Sequence, residues 1–456
     1  MLSQLLNSGS INTTFWFTLV AGTALALRWQ PSKHRVIFGS LFMFLLLGTT
    51  ANVCLAFYRA YAVPRDILQD VVSAQEYLQG RPLYPPDMTE RINVALAKEE
   101  PRPSLLSNWP DLKKREEEQR REALTSHWVQ AHPPFMTLFT APFVKYLGIL
   151  GTQIAFILIA VLALAGILWM IRIELFPEVS SGWFVVIGIA LLGWDPVLTT
   201  MRSEQASLLL SGLLTTSWFL LRRGHPVGAG LVAALAVSLK LIPGLILLVL
   251  IMRRRKAFVA AIVGLAGIGL FTLVATSVQD HIDFVQTSRG VVQEYAAYSG
   301  NISLLGVLAR GARDQGIPFE TARGAWLVIG LLIVTGFVWL LRRRQPSIEM
   351  KFALAMTLMP LLSPIAWDHY LTFLILPLAV PCQCVGVRAW PLLLLFAVPD
   401  ATFTWLLEQS TSAGCHRLAV WLLLPLRAIG LTVLAGWLVR RMMLAPALLT
   451  PVIKHV

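Results

Sequence analysis

The chain has 456 residues, of which 56% are hydrophobic and only 14% charged, and its mean hydropathy is +0.66. Soluble domains carry about 25% charged residues, so a water-soluble globular protein is excluded and a membrane is the expected solvent. The net charge of +13 does not point to nucleic acid, because the basic residues stand in short clusters beside apolar runs: Arg222-Arg223, Arg253-Arg254-Arg255-Lys256, Arg342-Arg343-Arg344 and Arg440-Arg441. Clusters of that kind mark cytoplasmic loops, so the excess charge reports topology.

In lipid a backbone must satisfy its own polar groups, and the runs lack the alternation of a barrel, so they are read as helices. The first run, 13–28, ends at Arg28, Lys33 and Arg35 and places that loop inside. The second, 36–57, returns outward and delivers a long mixed-charge segment. Residues 133–150 are short for a span and are interrupted by Lys145 and Gly148. A span there would put Arg222-Arg223 outside, so this stretch is expected as an interfacial helix closing an external loop over 58–150. Runs 151–171, 182–197 and 205–221 then alternate. Segment 226–252 has basic clusters at both ends, and Pro243 disfavours a continuous helix. It is expected as a hairpin of two half-length helices with Lys240 at the apex, a single long span being the alternative. Runs 257–277, 324–341, 350–367, 369–387, 389–406 and 418–439 complete the path and leave the C-terminus cytoplasmic. The expected fold is an all-α polytopic membrane protein of about thirteen segments, one integral domain over 1–456, with surface helices on its long first external loop. The stretch Lys113 to Glu122 reads as a solvated, charge-paired helix, and Cys54, Cys382, Cys384 and Cys415 as isolated thiols.

With topology set by Lys and Arg alone, the other polar residues fall on one side. Asp66 and Asp70 follow the second run, and His132 opens the surface helix. Asp195, Arg202, Glu204 and Gln205 share an outer turn, and Lys240 takes the hairpin apex. Asp280, His281, Asp283 and Asn301 occupy the next outer loop, and Asp368 and His369 turn between two helices. Such a set suits transfer of a sugar away from a phosphate. A carboxylate takes the proton of the incoming hydroxyl, and cations or hydrogen-bond donors hold the departing charge. Asp66 or Asp70 can be the base, and Lys240, Arg202 and His369 can serve the phosphate. Plainer readings stand beside these. Asp66 can pair with Arg65, Asp70 reads first as a solvated carboxylate, and His132-Pro133-Pro134 reads as a turn. Gln205 can be interhelical glue, Asp368-His369 can tie a helix turn, and Arg427 can pair inside the bundle. Lys240, at membrane depth, is functional by default. No metal-ligand spacing and no cofactor motif occurs, so neither is expected.

The segment DILQDVVSAQEYLQGRPLY from Asp66 resembles the first external loop of glycosyltransferase family 87, the polyprenol-phosphate-mannose-dependent mannosyltransferase-like proteins of the GT-C superfamily. Three further segments resemble that family in the same order. They are AHPPFMTLFTAPF from Ala131, the long stretch from Glu204 through LKLIPG to Lys256, and LSPIAWDHYLTFLILPL from Leu362; GNISLLGVLAR from Gly300 fits more loosely. The resemblance implies a GT-C fold, a lipid-phosphate sugar donor, inverting transfer and a catalytic Asp in the first loop. That Asp falls on Asp66, and the family's basic and His positions fall on Lys240 and His369. The chain departs from the pattern at Glu204-Gln205, where relatives often carry Gly-Gln, and in a longer, more charged segment 88–128.

The expected function is therefore inverting transfer of a mannose-like sugar from a polyprenyl-phosphate donor to an extracytoplasmic glycan or glycolipid, with Asp66 as base. Asp70, His132, Arg202, Gln205, Lys240, Asn301, Asp368 and His369 are expected to bind donor or acceptor. The expected location is the inner membrane of a bacterium. The alternatives are a lipid-linked-sugar flippase, or a GT-C transferase acting on protein or lipid A.

Overall fold

A computed structural model of the chain describes residues 66–98, 128–344, 346–397 and 425–444, with a few positions between 47 and 58 and at Lys114 and Glu117. The expected run 13–28, most of run 36–57, the charged stretch 113–122 and the segment 398–424 lie outside these residues. Among the described residues the secondary structure is helical throughout. Helices α1 (Ile67–Leu78) and α2 (Met88–Lys98) precede α3 (Pro134–Leu175), α4 (Ser181–Leu192), α5 (Asp195–Arg202), α6 (Ser207–Arg222) and α7 (Pro226–Leu239). A 3-10 turn, Ile242–Leu245, leads into α8 (Ile246–Arg253), followed by α9 (Arg255–Ala275), α10 (Val278–Tyr295), α11 (Leu304–Asp314), α12 (Phe319–Arg344) and α13 (Ile348–Leu362). A second 3-10 stretch, Asp368–Leu374, runs into α14 (Ile375–Val385), and a third, Gly386–Ala389, into α15 (Trp390–Ala397); α16 (Leu426–Leu444) is last.

Four of these units are long and apolar enough to cross a membrane: α3, α9, α12 and the continuous stretch Asp368–Val385. Helices α4 and α5, bent by 57°, make a fifth if taken as one broken span. The described residues thus show fewer spans than the expected thirteen or so. Part of the difference lies in runs outside the described residues. Most of the rest arises because α6, α7, α8 and α13, of 16, 14, 8 and 15 residues, are each too short to cross alone. The lipid-facing character is plain on α9 and α12, where Val274, Leu331 and Leu332 are each at least two-thirds exposed. Water would not tolerate so much bare apolar surface, whereas lipid does. Helix α13, by contrast, is buried from Glu349 to Leu361 and forms the centre of the bundle.

Two breaks position the site. Helix α3 is interrupted at Gly148, whose φ of 68° lies where a side chain would be strained. The expected join between the helix over 133–150 and the run that follows it falls at this glycine. The second break is at Lys240, whose φ of −155° and ψ of 139° are extended. Gly230 packs against Ala257 and Ala260, and Gly264 packs against Leu231 and Ala234. Helices α7 and α9 therefore run parallel, so the chain between them must reverse, and α8 returns toward the end from which α7 started. This is the hairpin geometry, with Lys240 at its far end.

The α7–α9 seam is close because its residues are small, as in helix pairs of membrane proteins generally. A Cβ on Gly230 would lie 2.1 Å from the Ala257 carbonyl oxygen, a backbone atom that can shift only by moving α9. Gly230→Ala is expected to destabilise the protein by about 1–3 kcal/mol, read as a lower unfolding temperature in detergent. An unchanged unfolding temperature would contradict the parallel seam.

The bundle has two chemically distinct ends. At one, Arg222 and Arg223 close α6 and meet Glu174 at the end of α3, at 2.6 and 2.5 Å, while Arg222 also pairs with Glu349 at the start of α13. These guanidinium groups suit the partial negative charge of the α6 C-terminus. At the other end α6 begins, α7 finishes at Lys240, and α13 delivers Trp367, Asp368 and His369.

Candidate active site

Asp66 stands immediately before α1, yet its carboxylate makes no capping bond to that helix. It accepts a hydrogen bond instead from Gln205 Nε2 at 3.1 Å. The other end of the same amide, Gln205 Oε1, accepts from Lys240 Nζ at 3.0 Å. One glutamine thus bridges a carboxylate and an ammonium, and its amide orientation is set by both. The Lys240 ammonium also lies 4.9 Å from the centre of the Tyr370 ring, whose face favours a cation.

Gln205 reaches this place through an unusual backbone. Glu204 has a φ of 52° and is the positive-φ residue other than glycine among the described residues. A side chain in that conformation is strained, and glycine would be the easier residue there. Glu204 is held in it by Gln153, whose Nε2 lies 3.2 Å from both carboxylate oxygens.

One turn along α1, Asp70 is buried and is not the solvated carboxylate first read from the sequence. His132 Nδ1 lies 2.9 Å from each of its oxygens, and Gln130 Nε2 donates to it at 3.2 Å. A carboxylate only accepts, so Nδ1 carries the proton and the tautomer is set. His132 also receives a hydrogen bond at its carbonyl from the Tyr84 hydroxyl, at 2.6 Å. The His132-Pro133-Pro134 turn therefore both launches α3 and anchors the loop after α1.

His369 is 2% exposed, its ring lies tilted 4.5 Å from that of Tyr370, and its Nε2 has no hydrogen-bond partner among the described residues. Lys240 and His132 are its electrostatic neighbours. An imidazole nitrogen buried without a partner is costly, which marks a group kept for something other than packing. Three basic side chains from three distant segments thus face one region, with Asp66 on the far side of Gln205.

The remaining expected residues stand differently. Asp368 is taken up by Arg427 of α16, which also lies 3.9 Å from Asp195, giving a buried carboxylate–guanidinium–carboxylate group. Asn301 spends its amide on backbone: Nδ2 donates to the Ala296 and Pro364 carbonyls, and Oδ1 accepts from Ser303 and Ala366. It stitches the loop before α11 to the loop after α13. Arg202 ends α5, three residues before Gln205. Asp280 completes a capping box with Ser277 and receives the Leu83 amide at 2.9 Å, tying the segment after α1 to α10. Tyr370, Gln130 and Gln153 escaped the sequence reading, since an aromatic or amide in an apolar run carries no signal of its partner. Among the described residues no three His, Cys, Asp or Glu side chains gather closely enough to hold a metal ion.

A sequence model of glycosyltransferase family 87 matches residues 130–364, just over half of the chain. The chain belongs to glycosyltransferase family 87. As a membrane glycosyltransferase, it has His132, Gln205 and Lys240 inside the matched stretch, while Asp66, Asp70, Asp368 and His369 flank it. Hydrogen bonds join two of the flanking residues to matched ones, Asp66 to Gln205 and Asp70 to His132. No curated protein and no solved structure matches the chain.

Proposed function

We propose that this family 87 glycosyltransferase moves a mannose-like hexose from a polyprenyl-phosphate donor to a glycan or glycolipid acceptor at the outer face of a bacterial inner membrane. The observation that carries this reading is the line Asp66–Gln205–Lys240, in which one amide separates a carboxylate from an ammonium. Asp66 receives the proton of the acceptor hydroxyl as its oxygen bonds to the anomeric carbon. The bond from that carbon to the phosphate oxygen breaks with its electron pair on the phosphate, and attack from the opposite face inverts the configuration. Lys240, with His132 and His369 beside it, holds the developing phosphate charge in a site shielded from water, where such contacts are worth most. Gln205 keeps base and cation in register and itself exchanges no proton. The step calls for no cofactor, and we propose none.

The outer-face placement is supported by the two ends of the bundle. The Arg222, Arg223 and Arg253–Arg255 clusters belong on the cytoplasmic side, and the candidate site lies at the other end. Lys240→Met, which keeps length and removes charge, is expected to lower kcat by about 10²–10³-fold, the usual effect of losing one donor to a developing anion. Transfer of labelled hexose from a synthetic polyprenyl-phosphate donor measures it. A Lys240→Met protein with wild-type kcat and donor KM would remove Lys240 from the phosphate site.

A further inference from the structure

At the edge of this site stands a group of aromatic rings to which the mechanism gives no work. Tyr295 ends α10, Tyr298 lies in the turn that follows, and Trp367 directly precedes Asp368 and His369. The Tyr298 and Trp367 ring centres are 5.5 Å apart, those of Tyr295 and Trp367 6.2 Å, and those of the two tyrosines 6.4 Å, all edge-on. Tyr298 is 56% exposed, while Tyr295 and Trp367 are half-buried and Trp367 packs on the core, so the group forms a wall with Tyr298 at its open edge. Gly300 lets the turn come in under it, since a Cβ there would already stand 3.4 Å from both the Trp367 and Tyr298 rings.

The wall is held rigid from behind. Asn301 joins the Tyr298 turn to residues 364–366 through its four backbone bonds, and Ile302 adds another to the Ala366 carbonyl at 2.8 Å. Buried Arg310 donates to the carbonyls of Tyr298 and Asn301, both at 2.8 Å. A ring that merely anchors a protein at the bilayer surface has no need of such a brace. A ring that must meet a ligand at a fixed distance gains from it, because less freedom is lost on binding.

Its position names the ligand. Trp367 stands two residues before His369 and so ties the wall to the site, while burial, then Glu294, Tyr298 and, last, Asp66 raise the Tyr295 phenol above its ordinary pKa. An acceptor giving its proton to Asp66 needs a surface at the edge of the site to rest on, and this wall offers an aromatic one. The C–H groups on the flat face of a pyranose ring carry slight positive charge and fit the negative face of an aromatic ring. We propose that Tyr295, Tyr298 and Trp367 form the acceptor subsite, stacking on the acceptor pyranose ring and presenting its hydroxyl to Asp66. The proposal rests on Asp66 being the base for its orientation, and on the wall alone for binding.

The test uses full-length protein in lipid nanodiscs and saturation-transfer NMR with methyl glycosides of mannose, glucose, galactose and mannobiose. At least one is expected to bind through its ring protons. Tyr298→Ala is expected to weaken that binding by about tenfold or more, with Tyr298→Phe close to wild type because the ring face is kept. Asp66→Asn is expected to bind the same glycoside within about twofold of wild type, since it alters proton transfer and not stacking. In transfer assays Tyr298→Ala should raise the acceptor KM and leave the donor KM unchanged. Full activity in Asp66→Asn together with lost binding in Tyr298→Ala would support the subsite and dismiss the base. Failure of every glycoside to bind the wild type, or wild-type binding in both Tyr298→Ala and Trp367→Ala, would overturn the subsite.

Discussion

Asp66→Asn is expected to slow sugar transfer by about 10²–10⁴-fold, the range general-base catalysis ordinarily supplies. The substitution keeps the shape of the side chain, and its amide can still meet Gln205, so the bundle should fold unchanged. What it loses is the capacity to take a proton from a hydroxyl. Donor affinity should therefore stay near wild type while kcat falls, a pattern that separates loss of a base from loss of a binding contact. Asp70→Asn makes a useful companion. Asp70 touches His132 at 2.9 Å and acts through it, so Asp70→Asn is expected to slow transfer less than Asp66→Asn does. Single-turnover rates with labelled donor measure both variants, and an Asp66→Asn rate equal to wild type would end the base assignment.

Arg427→Met is expected to cost about 3–5 kcal/mol of stability, the largest structural effect of any single change considered. Arg427 is 4% exposed and lies between Asp195 and Asp368, which are themselves 6% and 8% exposed. Removing the guanidinium leaves two carboxylates buried without their counter-charge, which is far worse than never having buried a charge there. The triple variant Asp195→Asn, Asp368→Asn, Arg427→Met should accordingly recover most of the loss. Thermal unfolding in detergent measures all of them. A single variant as stable as wild type, or a triple variant no better than the single, would show that the cluster does not hold α5, α16 and the Asp368–Leu374 turn together. Since His369 follows Asp368 directly, the single variant should also lose activity at temperatures where it remains folded.

Much of this arrangement was readable from the residues. Apolar length marks α3, α9, α12 and Asp368–Val385 as membrane helices, Pro243 disfavours a continuous helix where the backbone is extended at Lys240, and Gly148 with Lys145 marks the interruption in α3. The pairings were harder. Gln205 reaches Asp66 across 139 positions, and His132 reaches Asp70 across 62, so no local pattern announces either bond. Asp70 was misjudged for that reason: on α1 alone it looks solvated, and only the α3 N-terminus covers it. Asn301 and Asp368 were expected at the substrate because polar groups in outer loops are often ligands. In the structure Asn301 bonds to the backbone of those loops and Asp368 pairs with Arg427. Glu204 shows a further limit, since a positive φ at a residue other than glycine cannot be read from its identity.

The most direct measurement is transfer by purified protein in nanodiscs, offered labelled hexose on a synthetic polyprenyl phosphate and, separately, on a nucleotide diphosphate. The expected result is a new glycosidic bond of inverted configuration from the lipid-phosphate donor alone, with free polyprenyl phosphate released in equal amount. Transfer from the nucleotide sugar only, retention of configuration, or passage of the intact lipid-linked sugar across the bilayer without bond cleavage would contradict it.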